Sequence, residues 1–194
     1  MILRIVVLAI ALILTGCVPS YTLVQPGQVP VAKKALSVQP TSAWNRIPKG
    51  PGDTAWDESW TKNGPLLDTV AFVGGLPDGK TLVRQEKKAD QKVPTFRADM
   101  SPQDLVSMIE SSYRIGGVSV FDITSVEPSP FLGKTAIKMD YSYVPGDGLP
   151  RKGRCVMSVA DSKLYLMKLE GAASHYFDAS VKEFDAMVAS ANRR

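Results

Sequence analysis

Residues Gly74-Gly75-Leu76-Pro77-Asp78-Gly79-Lys80-Thr81 come nearest to a known chemical motif, because they satisfy the Gly-x4-Gly-Lys-Thr spacing of a phosphate-binding loop and follow a predicted strand. Such a loop cradles phosphates with successive backbone N–H groups, while its lysine reaches the terminal phosphates and its threonine holds magnesium. Pro77 removes one of those donors, Pro-Asp-Gly is a turn signal, and the residues from Leu82 to Lys88 lack an apolar stripe of helical period. The segment reads as a tight turn joining two strands.

The remaining reactive types are sparse. Cys155 alternates with Met157 and Val159, which marks it as a buried apolar residue; a nucleophile would need an activating base nearby. The single histidine, His175, has Ser174 and Asp178 as sequence neighbours, but adjacent residues seldom converge as a triad and no nucleophile elbow is present. One His and one Cys in separate segments do not make a zinc site. Asp57 and Glu58 point to opposite sides of a strand, so paired-carboxylate chemistry has no support. These observations predict neither a catalytic role nor a cofactor. Trp44, Trp56 and Trp60 are concentrated in one stretch, and in a strand over 55–61 the last two share a face with Glu58. They either fill the core beneath a sheet or form a binding surface, as a ligand cleft or a partner contact. Arg84, Lys87, Lys88, Lys92 and Arg97, interrupted by Glu86, Asp90 and Pro94, read as a solvated basic loop, with contact to anionic headgroups as the alternative.

The elements that would position these residues follow from periodicity. Ile137, Met139, Tyr141 and Tyr143 alternate with more polar residues, Pro145 to Gly148 is a turn, and two more alternating runs follow around Cys155-Met157-Val159 and Tyr165-Met167-Leu169. This predicts a three-strand antiparallel meander. Earlier strands are expected over 35–38, 55–61, 67–73, 81–84 and 118–126. Ser101-Pro102-Gln103-Asp104 reads as a helix start, with Leu105, Ile109 and Tyr113 at helical spacing and Gly116-Gly117 as the stop. Phe177, Val181, Phe184, Val188 and Ala191 predict a second amphipathic helix. The expected class is α+β, with an antiparallel sheet packed by two helices.

The chain has 194 residues, 44% apolar and 22% charged, with 23 Lys plus Arg against 19 Asp plus Glu. That balance excludes a chain disordered throughout and a polytopic membrane protein, and no long basic block suggests nucleic acid as a partner. At the N-terminus, Arg4 precedes an apolar run from Ile5 to Leu14 that is too short to span a bilayer, and Leu14-Thr15-Gly16-Cys17 follows. These residues resemble the signal and lipobox of bacterial lipoproteins. The resemblance implies that Cys17 receives a diacylglyceryl group, that the chain is cut before Cys17, and that residues 1–16 are lost. Val18 lacks the aspartate of inner-membrane retention, which favours the outer membrane facing the periplasm. Residues 17–34, with Pro19, Pro26, Gly27 and Pro30, are expected to be a flexible tether, with an added edge strand over Tyr21 to Val24 as the alternative, and 35–194 a single domain.

The order of an Ala35–Pro40 strand, Trp44-Asn45, a late meander and a closing helix is similar to the group of small α+β proteins that includes PsbP and DcrB. That resemblance carries no catalytic motif and implies an accessory or assembly role. The expectation is a lipid-anchored envelope binding module with a protein partner; the alternative is a small-molecule or lipid-binding lipoprotein with a tryptophan-rich pocket.

Overall fold

The computed structural model describes residues 20–50, 53–85 and 91–194. The lipobox residues Leu14, Thr15 and Gly16, the lipidation residue Cys17, and Lys87 and Lys88 lie outside them.

Eight strands form one antiparallel sheet: β1 (Thr22–Val24), β4 (Trp44–Arg46), β5 (Asp57–Thr61), β6 (Asp68–Pro77), β10 (Lys163–Ala172), β9 (Arg151–Ala160), β8 (Lys134–Val144) and β7 (Val120–Phe131), in that spatial order. A second sheet, in the order β11 (Asn192–Arg193), β3 (Leu36–Val38), β2 (Val29–Val31), lies over one face of the first. Two helices complete the described residues, α1 (Pro102–Ile115) and α2 (Tyr176–Ser190). The class is α+β, as the alternation of the strands and the two amphipathic stripes require.

The long meander β8–β9–β10 forms where the period-two pattern is strongest. Met139 pairs with Cys155, and Met157 with Leu166, so apolar side chains meet across the strands on one face. The other face carries Val156, Met167 and Leu169. Both faces are therefore buried, each under its own helix. α1 begins with a capping box in which the Ser101 hydroxyl accepts from the Asp104 N–H while the Asp104 carboxylate accepts from the Ser101 N–H. Its buried residues are Leu105, Met108 and Ile109. α2 buries Phe177, Phe184, Met187 and Val188 against the opposite face together with the small sheet.

Three sequence expectations are corrected. The first concerns residues 17–34, where the flexible tether gives way to β1 and β2 from Thr22 onward. Val24 and Val31 are buried there because pairing with β4 and β3 carries their side chains into the core. Pro30 is tolerated because β2 is an edge strand, where a missing donor costs no ladder bond. The second is the strand over 81–84, which reduces to a single bridge between Thr81 and Thr95. The tight turn expected over Gly74 to Thr81 narrows to Asp78-Gly79, because β6 runs on through Pro77: the Gly79 N–H donates to the Phe96 carbonyl at 2.9 Å, and Asp78 accepts from the Ala98 N–H at 2.7 Å. These groups hold the 93–98 loop and present no phosphate cradle. The third is the strand over 55–61, which starts at Asp57, so that Trp56 lies in a bend before it and packs on the α1 side while Trp60 packs under α2. Beyond the expectations, β4 and β11, at three and two residues, carry no periodic signal and form by pairing.

A segment linking β2 and β3 crosses the α2 face of the large sheet. Ala32, Lys33 and Lys34 all have positive φ, at 48°, 56° and 68°, a costly conformation for residues with a Cβ. Two contacts hold it: the Ala32 N–H donates to Glu58 at 2.9 Å, and Gly74 leaves room beneath. A Cβ at Gly74 would stand 2.7 Å from those of Ala32 and Ala35.

Candidate functional site

The two faces of the large sheet are covered unequally. α2 and the small sheet seal one, which we call the closed face. On the other, the open face, α1 packs over Phe121, Met139, Tyr141, Cys155 and Leu166, and beyond its C-terminal turn the apolar floor gives way to charge. β10 marks the change: Leu164 and Leu166 are followed on the same side by Lys168 and Glu170.

Glu170 is the centre of the arrangement, with 12% of its side chain exposed. Its carboxylate accepts hydrogen bonds from the hydroxyls of Tyr113, on α1, and Tyr141, on β8, the latter at 3.1 Å, and Tyr143 also faces it. Lys168 stands 3.0 Å from the other carboxylate oxygen, donates to the Tyr113 hydroxyl at 2.6 Å and lies over the Tyr113 ring at 4.9 Å. Phe121 stacks on Tyr141 with centroids 5.0 Å apart. Gly153 makes this possible, because a Cβ there would lie 2.2 Å from the Tyr141 ring, which crosses β9 at that point.

Burial alone would push the Glu170 carboxyl up, but Lys168 and the tyrosine donors outweigh it and hold it below the usual carboxylate range. Burial, reinforced by the Glu170 charge, pushes Tyr113 and Tyr141 well above the ordinary phenol range, and Tyr143 rises for the same reasons. The tyrosines are therefore fixed as neutral donors and Glu170 as an anion. A carboxylate with this many donors is not a free base; the cluster is suited to fixing a shape and a local charge pattern.

Two clefts adjoin on this cluster. One, of about 370 Å³, has Ser59, Thr69, Ala71, Lys168 and Glu170 among its lining and is bordered by Ile47, Pro48, Lys49, Asp53 and Asp57. The other, of about 300 Å³, lies between Leu66, Leu67, Pro145 and Arg151, and shares Thr69 and Glu170 with the first. Lys49 pairs with Asp57 at 3.1 Å, and Arg151 with Asp147, so both rims carry charges of each sign. Among the described residues, no group of three or more His, Cys, Asp or Glu side chains is placed to hold a metal ion.

Other candidates from the sequence are dispersed. Trp44 and Trp60 are fully enclosed in the closed-face core, so neither offers surface to a ligand or partner. Trp60 donates to Glu58 at 2.8 Å and Trp44 to Glu183 at 3.2 Å. Trp56 is half-buried by the open-face core, away from both. Cys155 is completely buried under α1, where burial pushes its thiol up to about 12. His175 sits at the start of α2 on the closed side, its ring edge-on to Tyr176, so the sheet separates it from Cys155. Arg97, from the basic stretch, pairs with Asp99 at 3.0 Å.

No family model matches the sequence, and no curated protein matches it. The architecture, however, superposes on solved structures. The cyanobacterial PsbP of Synechocystis sp. PCC 6803 aligns with a TM-score of 0.54 at 14% identity, covering 93% of this chain and 99% of that one. A point mutant of Mog1 gives 0.54 at 7% identity, covering 88% and 96%. The fold is PsbP/Mog1-like. A structure from Bacteroides thetaiotaomicron aligns at 0.52 with 9% identity over 88% of this chain, which spans 49% of that longer protein. At these identities the likeness concerns the PsbP/Mog1-like fold alone. The Tyr113–Tyr141–Glu170–Lys168 cluster is thus read from this chain's own residues.

Proposed function

We propose that this is a lipid-anchored protein of the bacterial cell envelope, at the outer membrane and facing the periplasm, whose folded body is a non-catalytic accessory module that binds a membrane-associated protein through its open face. The anchor reading is supported by Arg4, the short apolar run and Leu14-Thr15-Gly16-Cys17. Among the described residues no helix is long and apolar enough to cross a membrane.

One observation carries the binding reading. On the open face a strongly held charge pair, Glu170 and Lys168, stands where two clefts meet. Rigid polar groups beside a concave surface favour recognition, because little freedom is lost when a partner meets them.

The test is affinity isolation of the full-length protein from solubilised native membranes, beside Cys17→Ser and Thr69→Arg versions, followed by mass spectrometry. Thr69 lines both clefts, so an arginine there obstructs them. The expected result is a partner recovered in near-equal amount with the native protein and lost with Thr69→Arg. Recovery that Thr69→Arg leaves unchanged, or nothing above background, overturns the reading.

A further inference from the structure

This inference rests on lipidation of Cys17 as proposed above, and concerns how the body then meets the membrane. β1 begins at Thr22, so only Val18, Pro19, Ser20 and Tyr21 intervene between Cys17 and the sheet. A fully extended chain gains at most about 3.6 Å per residue, which puts Thr22 within about 18 Å of the anchored residue. The body therefore cannot stand off from the bilayer. β1 is also the terminal strand of the large sheet, so it is an edge of the molecule that is drawn to the headgroups.

The residues on that edge suit the interface. Tyr21 is 49% exposed and Leu23 57%, whereas Val24 is buried on the closed side, so Tyr21 and Leu23 project together to the open side. An aromatic ring bearing a hydroxyl beside an aliphatic chain is favoured at the boundary of water and lipid. Thr22 lies opposite Arg46, and the residues that follow, Ile47, Pro48 and Lys49, border the cleft that ends at Lys168 and Glu170. The cleft therefore opens at the anchored end of the molecule.

We propose that the protein docks edge-on against the bilayer surface through β1, with Tyr21 and Leu23 entering the headgroup region, so that the Lys168–Glu170 cleft is presented next to the membrane. A partner for that cleft would then meet it at the level of the headgroups.

The test uses the full-length lipidated protein in vesicles of phosphatidylethanolamine and phosphatidylglycerol, carrying one fluorescent label on Leu23→Cys or on Ile123→Cys. Cys155 is buried with its thiol pushed up to about 12, and so does not compete for the label. Ile123 is exposed on β7, the opposite edge of the sheet, seven strand spacings and so roughly 30 Å away. The mass of the N-terminal peptide reports lipidation independently. Brominated lipids are expected to quench the Leu23 label several-fold more than the Ile123 label, and aqueous iodide to show the reverse order. Equal quenching of the two labels on a lipidated protein overturns edge-on docking and leaves the anchor standing. A peptide without lipid on Cys17 overturns both.

Discussion

On the closed face, Trp44, Trp60, Phe72 and Phe184 are completely enclosed, and the carboxylates there act as clasps. Glu58 accepts from the Ala32 N–H, Arg46 and the Trp60 indole, while Glu183 on α2 accepts from the Thr41 and Ser42 N–H groups, the Ser42 hydroxyl, the Trp44 indole and Lys62. On the open face the corresponding carboxylate, Glu170, is held by side-chain donors and opens onto two clefts. The contrast separates two uses of a half-buried charge. Backbone and indole donors drawn from distant segments fasten those segments together; tyrosine and lysine donors on rigid elements keep a charge in place at a surface.

That contrast can be broken by substitution. Phe184→Ala on the closed face should cost the most, about 3–5 kcal/mol in urea denaturation, since a fully buried ring leaves a cavity there. A loss below about 1 kcal/mol would mean that the closed face is not the principal core. Gly153→Ala should come next, at about 1–3 kcal/mol, because its Cβ collides with the Tyr141 ring and must displace it. Near-UV circular dichroism should lose tyrosine signal in this variant, and an unchanged spectrum would argue that the ring is not pinned.

Glu170→Ala should destabilise by about 1–2 kcal/mol, at the lower end for a lost buried partner, since the adjoining clefts let solvent reach the freed hydroxyls. It should abolish partner recovery in the membrane isolation, whereas Phe184→Ala should leave recovery by the folded fraction intact. Were the two variants to affect recovery alike, the distinction between the faces would fail.

The pH response sharpens the same point. Desolvation raises the Glu183 carboxyl, but Lys62, Ser42 and Trp44 together lower it from 4.5 to about 2. A carboxyl depressed in the folded state adds stability that is fully present above its unfolded value and lost as pH falls through the folded one. Stability should therefore decline between about pH 4.5 and 2, and Glu183→Gln should flatten that part of the profile. An unchanged profile would show that the clasp does not form in solution. Ser101→Ala, which removes the cap of α1, should have the smallest effect, about 1 kcal/mol.

Long elements announced themselves. The meander and both helices carry enough period to be read from residue order, the capping box fixed the start of α1 directly, and β6 and β7 were read only in part, since they run on past the expected ends at 73 and 126 to Pro77 and Phe131. Three-residue strands did so unevenly: Leu36–Val38 was read, Thr22–Val24 only as an alternative to a tether, and Val29–Val31 not at all, because segments this short hold little alternation and depend on their partners. The cluster around Glu170 was half-legible. Tyr113, Tyr141 and Tyr143 were visible as apolar-face positions, and the one available signal was the change from Leu164 and Leu166 to Lys168 and Glu170 along one side of a strand. Nothing in residue order places Tyr113, from a helix, against Glu170, 57 positions later.

Residue order by itself determined the α+β class and the amphipathic faces, since each depends on patterns within a few consecutive residues. Only the tertiary structure decided that the tryptophans are enclosed, that Cys155 and His175 lie on opposite sides of the sheet, and that the body starts five residues after Cys17. Those outcomes depend on which strands become neighbours and which face each helix covers, and such pairings are fixed by the packing of segments far apart in the chain.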